Sequence, residues 1–219
     1  MKIILFGATG MVGEGVLLEA LRDESVTGVL VVGRRPCGIT HAKLTEIVHE
    51  DLFRLDAIGE RFRGYDACLF CAGVTSVGKK EHEYTRLTYD LTLDVAHVLE
   101  RECPGLTFCY ISGMGTDSTE KGRTMWARVK GRTENDLMKL GFRDVYAFRP
   151  GFIKPAPGQN RAFTAAKILA PLYPLLHAVM PKWVCTMQDL GRAMIQVSAK
   201  GYERKVVECL DIEKIARTT

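Results

Sequence analysis

The segment KIILFG, residues 2–7, is apolar without a break and ends in glycine. An unbroken run of this length reads as a strand buried on both faces, because a strand with one wet face alternates. Behind it, Val12, Val16, Leu17, Ala20 and Leu21 recur at helical spacing along one side. The alternation then repeats. Strands are predicted at 28–33 (GVLVVG), more weakly at 43–48, and again at 67–73 (ACLFCAG), 106–112 (LTFCYIS), 145–151 (VYAFRPG) and 205–209 (KVVEC). Helices are predicted from Leu91, Val95, Val98 and Leu99, from Val129, Thr133, Leu137 and Leu140, and over 189–199. Such alternation predicts an α/β fold, a doubly wound parallel sheet with helices on both faces. The pattern breaks at 154–187, which is rich in Pro, Ala and Leu. In a doubly wound sheet this segment leaves the carboxyl edge, where ligands bind. It is expected to form a small C-terminal substrate flap on a single domain spanning 1–219.

Composition narrows the function classes. The 219 residues suit one domain with a substantial core. The net charge of +4 is mild, and the basic residues are scattered with no basic run followed by aromatics, which disfavours nucleic acid. The longest uncharged stretch, ILAPLYPLLHAVMP at 168–181, falls short of the ~20 residues of a spanning helix and contains Pro171 and Pro174. No membrane span is expected. There are seven cysteines, an odd number, and the chain opens directly into a strand, so a reducing, cytoplasmic location is expected. Cys68 and Cys71 form a lone C-x-x-C in a strand pattern, without the second pair of ligands a structural zinc requires, and no metal is expected.

The chemistry lies at the strand ends. GATGMVG, residues 7–13, follows the first strand and opens the first helix. Gly7 permits the tight turn, Gly10 lets the backbone approach a pyrophosphate, and Gly13 lets helix and strand pack closely, while the helix N-terminus favours the anion. This reads as the dinucleotide loop of a Rossmann-like fold, with Thr9, Met11 and Val12 expected beside the phosphates. The second strand ends in Gly33, Arg34 and Arg35, where an NAD-preferring protein often places an acid for the ribose 2′-hydroxyl. Guanidinium groups suit a 2′-phosphate, so NADP is expected ahead of NAD. Asp51 and Leu52 are expected near the adenine, and Cys71, Ala72 and Gly73 beside a cofactor ribose.

Together these residues resemble the short-chain dehydrogenase/reductase superfamily, with the closer likeness to its atypical and extended NAD-dependent epimerase/dehydratase members, and most of all to the small Tat-interacting-protein-like oxidoreductases. The likeness covers nearly the whole chain: GATGMVG, GRRP, Asp51-Leu52, CAG, YIS at 110–112, VKG at 129–131, FRPGFI at 148–153 and DLGRAM at 189–194. It implies a dinucleotide across the carboxyl edge of the sheet and a Ser, Tyr and Lys assisting hydride transfer. Ser112 and Lys130 match the family's serine and lysine. The lysine's implied role is to hold the nicotinamide ribose, and Pro150, Gly151 and Phe152 match the turn facing the nicotinamide. The tyrosine does not carry over: Trp126 stands four residues before Lys130. An indole N–H donates a hydrogen bond but exchanges no proton near neutral pH. Tyr84, Tyr89, His82, Asp117, Ser118 and Lys130 itself are the candidate substitutes; Tyr110 falls inside a strand and reads as core.

Two functions remain open on the sequence. One is an NADP-dependent oxidoreductase or epimerase-like enzyme acting on a small carbonyl-type substrate, with Ser112 and Lys130 in the catalytic group and Trp126 replacing the tyrosine. The other is an NADP(H)-binding sensor or regulatory module with little or no turnover. The chain is expected as a monomer or homodimer.

Overall fold

The structure, a computed structural model, describes residues 1–218; the side chains of Ala165 and Lys167 lie outside the description. Strands β1 (Lys2–Phe6), β2 (Gly28–Gly33), β3 (Leu44–Val48), β4 (Ala67–Phe70), β5 (Thr107–Ile111), β6 (Asp144–Arg149) and β9 (Val206–Glu208) make one seven-stranded sheet in the order β3-β2-β1-β4-β5-β6-β9. Every pairing in it is parallel. This is the doubly wound arrangement that the hydrophobic pattern predicts. Its order reverses between β1 and β4, which opens a crevice at their carboxyl ends.

β1 shows why the run is continuous. Ile3 and Leu5 enter the core beneath helices α1 (Met11–Arg22), α7 (Met187–Lys200) and α8 (Cys209–Ala216). Ile4 and Phe6 enter the opposite core, under α3 (Leu91–Glu102) and α4 (Met125–Leu137). Both faces are dry, so the run has no polar position. On the first face α1 and α7 meet closely enough that a Cβ on Gly15 would lie 2.2 Å from the Met187 side chain.

Four elements differ from the sequence reading. The helix leading into α3 begins much earlier: α2 (Glu81–Thr85), a π-helical turn at Arg86–Asp90 and α3 run on without a break. The stretch at 154–187 holds α5 (Thr164–Leu169) and α6 (Tyr173–Val179). It is bounded by β7 (Phe152–Lys154) and β8 (Val184–Thr186), which pair in parallel as a separate two-stranded sheet. The last strand stops at Glu208, and Cys209 opens α8 instead of ending a strand. Helix α7 starts two residues early because Thr186 caps it, accepting from the Asp189 backbone N–H at 3.0 Å.

Ile168 of α5, Leu172 of the turn that follows it, and Leu175 and Val179 of α6 are exposed. The inner face of α6 rests on the fold, with Tyr173 under the Lys154 ammonium and His177 3.1 Å from Glu213 of α8. Among the described residues no helix is long and apolar enough to cross a membrane.

Candidate dinucleotide site

The glycine loop is built by close approach. Gly7 has φ +86°, a left-handed conformation that other residues rarely adopt, and a Cβ there would lie 2.5 Å from the Ala72 backbone nitrogen. Gly10 N–H donates to Gly7 O at 2.9 Å, closing the turn. A Cβ on Gly13 would lie 2.1 Å from Gly7 O. Gly10 caps α1 without a side-chain hydrogen bond, so the first-turn amides face the crevice uncapped by any side chain.

Above this loop lies a cleft of about 370 Å³. Its floor is Gly7, Thr9 and Gly10, and Arg34 and Arg35 line it at the end of β2. Asp51 and Leu52 lie on one side, and Cys71, Ala72 and Gly73 line the end of β4. Leu87 and Leu91 of the π-helical turn and α3 close the opposite wall. The Asp51 carboxylate is partly occupied, accepting from the Phe53 backbone N–H at 3.0 Å. Thr9, Arg34, Arg35, Asp51, Leu52, Cys71, Ala72 and Gly73 are therefore brought together as the sequence expects. Met11 and Val12 sit on the first turn of α1, beside the cleft instead of among its lining residues. Burial pushes the thiols of Cys68 and Cys71 upward, so both stay protonated and poorly nucleophilic.

Ser112, Trp126, Lys130, Pro150, Gly151 and Phe152 gather one strand further along, where β5 and β6 end. Ser112 is buried, and its hydroxyl donates to Phe148 O at 3.1 Å. The Lys130 ammonium donates to Ser112 O. Met114 N–H donates to Pro150 O at 2.9 Å, joining the two strand ends. Trp126 and Lys130 are one turn apart on α4, and the indole packs 3.4 Å from where a Gly115 Cβ would be. Gly151 is held against β8: a Cβ there would lie 2.2 Å from Trp183 O.

Burial pulls the Lys130 amine down to about 8 from 10.5, against a smaller upward pull from Glu134. Glu134 is fully buried and also receives the Arg149 guanidinium, at 3.0 Å from Nε. The Lys130 shift has a consequence for stability. Between about pH 8 and 10.5 the unfolded chain binds more protons at this site than the folded one, so stability rises with pH across that window. Because the amine is only half-buried, the rise is expected to be about 1–2 kcal/mol. Urea melts across the window check it: Lys130→Met flattens the rise, and an equal rise in both proteins would place the amine in water.

The substitutes for the missing tyrosine are dispersed. Tyr84 and Tyr110 are buried in the core, and burial raises both phenols. Tyr89 donates to Asp136 at 2.7 Å under the Arg132 guanidinium, and burial and the neighbouring carboxylate raise it. His82 is exposed and lines a second hollow with Phe53 and Arg86. The Asp117 carboxylate accepts from Thr119 Oγ1 at 2.6 Å and from Gly122 N–H at 2.7 Å, which holds it below the usual carboxylate range. It shapes its own loop. Ser118 receives Arg149.

Sequence reasoning missed a strap from the flap. The buried Glu14 carboxylate on the first turn of α1 accepts the backbone N–H groups of Asn160 at 3.1 Å and Arg161 at 2.7 Å. Gln159 donates to Met11 O. A carboxylate in the first turn of a helix that opens on a glycine loop was the available signal: it would oppose an anion there unless other donors neutralise it.

The fold is that of a doubly wound α/β protein built like the NAD-dependent epimerase/dehydratase enzymes of the short-chain dehydrogenase/reductase superfamily, with a glycine-floored crevice at its carboxyl edge. The chain superposes on a UDP-N-acetylglucosamine 4-epimerase from Methanobrevibacter ruminantium with TM-score 0.69, at 15% identity, over 94% of this chain and 75% of that one. It superposes on the Bordetella bronchiseptica enzyme WbmF in complex with NAD+ with TM-score 0.65, at 14% identity, over 98% and 76%. Sequence relatives include "Protein fmp52, mitochondrial" of Emericella nidulans, 27% identical over 214 residues, covering 94% of this chain and 90% of the relative. Protein HTATIP2 of Rattus norvegicus is 26% identical over 154 residues, 69% of this chain and 62% of the relative, in keeping with the Tat-interacting-protein-like resemblance. No family model matches the chain. The names of the fmp52 relatives overturn the cytoplasmic expectation and point to mitochondria. Unpaired thiols speak only against an oxidising compartment and do not separate one reducing compartment from another.

Proposed function

We propose that the chain binds NADP(H) and acts as an oxidoreductase or epimerase-like enzyme on a small carbonyl-type substrate, without a tyrosine acid/base. The observation that carries the cofactor reading is the pair Arg34 and Arg35 lining the cleft directly beyond β2, at the position where an NAD-preferring protein often places its acid, with Glu50 and Asp51 lining the same cleft from the loop after β3. The residues present fit a dinucleotide: Gly7 and Gly10 leave the loop without side chains, and the α1 amides lack a side-chain cap. In the NAD complex of WbmF a related fold holds such a cofactor. The nicotinamide supplies or accepts hydride when bound. This chain's part is to orient it: Lys130 holds the nicotinamide ribose, the turn Pro150–Phe152 faces the ring, and the 154–187 flap covers the substrate. With a pKa near 8, the Lys130 amine also exchanges a proton close to neutrality.

A second reading, an NADP(H)-binding sensor module with little turnover, is favoured by one contact. The Ser112 proton is committed to Phe148 O and is not free to polarise a carbonyl. Titration of NADPH and NADH against the emission of Trp126 and Trp183 tests the shared core of both readings. NADPH is expected to bind about tenfold or more tighter than NADH, with the preference lost in Arg34→Ala/Arg35→Ala. Equal affinities in the unmodified protein would remove the NADP assignment. Turnover with a panel of small carbonyls then separates enzyme from sensor.

A further inference from the structure

The flap reaches back to the loops that border the cleft through the Arg161 side chain. Arg161 Nη2 donates to Cys37 O at 3.1 Å, and Nη1 donates to Thr9 O at 3.4 Å. Thr9 belongs to the glycine turn, and Cys37 follows Arg34 and Arg35 in the loop after β2. The guanidinium therefore ties the glycine turn to the loop that follows Arg34 and Arg35, at the border of the cleft those two arginines line. Neither bond is charge-assisted on the acceptor side, and a guanidinium has more donors than these two bonds use. Its backbone is fixed independently of its side chain: Asn160 and Arg161 donate their N–H groups to the buried Glu14, and Gln159 donates to Met11 O. A cation is thus held over the loops by the Asn160 and Arg161 N–H groups on Glu14 and by the Gln159 side chain, with its own side chain free to exchange two neutral carbonyl partners for an anion.

We propose that Arg161 is the third guanidinium of a 2′-phosphate site formed with Arg34 and Arg35, contributed by the flap, so that the flap helps select NADP over NAD. This rests on the NADP reading above. A phosphate dianion accepts short charge-assisted bonds that a ribose hydroxyl does not match, so the gain is confined to the phosphorylated cofactor.

The test compares Kd for NADPH and NADH in the unmodified protein, Arg161→Ala, Arg161→Lys and Arg34→Ala/Arg35→Ala. Arg161→Ala is expected to weaken NADPH about tenfold and to leave NADH nearly unchanged, with Arg161→Lys recovering part of the loss. The strap's anchors do not use the Arg161 side chain, so the alanine variant keeps its fold; an unchanged melting temperature checks this. Loss of NADPH and NADH affinity to the same extent, or no loss of either, overturns the proposal. If the double arginine variant loses the NADPH preference while Arg161→Ala keeps it, only the role of Arg161 fails. If the unmodified protein shows no preference, the NADP reading fails first and carries this proposal with it.

Discussion

Replacing Trp126 with tyrosine is expected to raise the rate of NADPH-dependent reduction of a small quinone or aldehyde by about 10²- to 10⁴-fold, the usual worth of a positioned general acid. The geometry for it is already present. Residues 126 and 130 project from the same face of α4, and the Lys130 ammonium is fixed on Ser112 O at the end of β5. A phenol at 126 would stand one turn from a cation, and a nearby positive charge lowers a phenol's pKa towards neutrality. The smaller ring also leaves room beside Gly115, where the indole now packs. The gain should be largest below the phenol's pKa, where it still holds the proton it must donate, and should fall away on the alkaline side as it ionises; Lys130→Met should abolish it. Unchanged turnover in a variant that still binds NADPH would mean that the reacting carbonyl does not reach α4. The missing tyrosine would then not be what limits this protein.

The difference between what the sequence carried and what it concealed follows from where each contact lies along the chain. The buried strands were legible because burial on both faces removes every polar position, as Ile3 to Phe6 show. The glycine loop was legible because its steric demands fall within seven consecutive residues. The Arg34–Arg35 pair was legible by its fixed offset from that loop. The strap was not, since Glu14 and Arg161 meet across 147 positions and neither has a distinguishing local pattern. The Glu134–Arg149 pair was hidden in the same way, each residue reading as an ordinary surface charge until α4 and β6 are packed together. The earlier helix start at Glu81 escaped because KKEHEYT has no apolar periodicity. That helix is held by Tyr84 entering the core and not by an amphipathic stripe. The hydrogen bond of Ser112 to Phe148 O was hidden for a third reason: strand position fixes where a hydroxyl lies but not which acceptor takes its proton.

Gly13→Ala is expected to cost at least about 3 kcal/mol of stability and to weaken dinucleotide binding by more than about a hundredfold. A methyl group there would lie 2.1 Å from Gly7 O and 2.5 Å from Gly7 C, both backbone atoms that no rotamer change can move. The N-terminus of α1 would have to withdraw from β1. Withdrawal is resisted from three directions. Gly7 cannot yield towards β4, because its own α-carbon faces the Ala72 backbone. Glu14 is tied to Asn160 and Arg161. Further along the helix Gly15 abuts Met187. Displacement therefore disturbs the loop, the strap and the α1–α7 contact together, and the amides that would meet the pyrophosphate lose their aim. In a domain of this size such a loss lowers the melting temperature by about 10 °C. Gly73→Ala is the matched control, since nothing lies within 4 Å of its added methyl and its φ is not left-handed. That variant should melt with the unmodified chain. A Gly13→Ala protein that also melted and bound normally would show that α1 approaches β1 less closely than the structure requires.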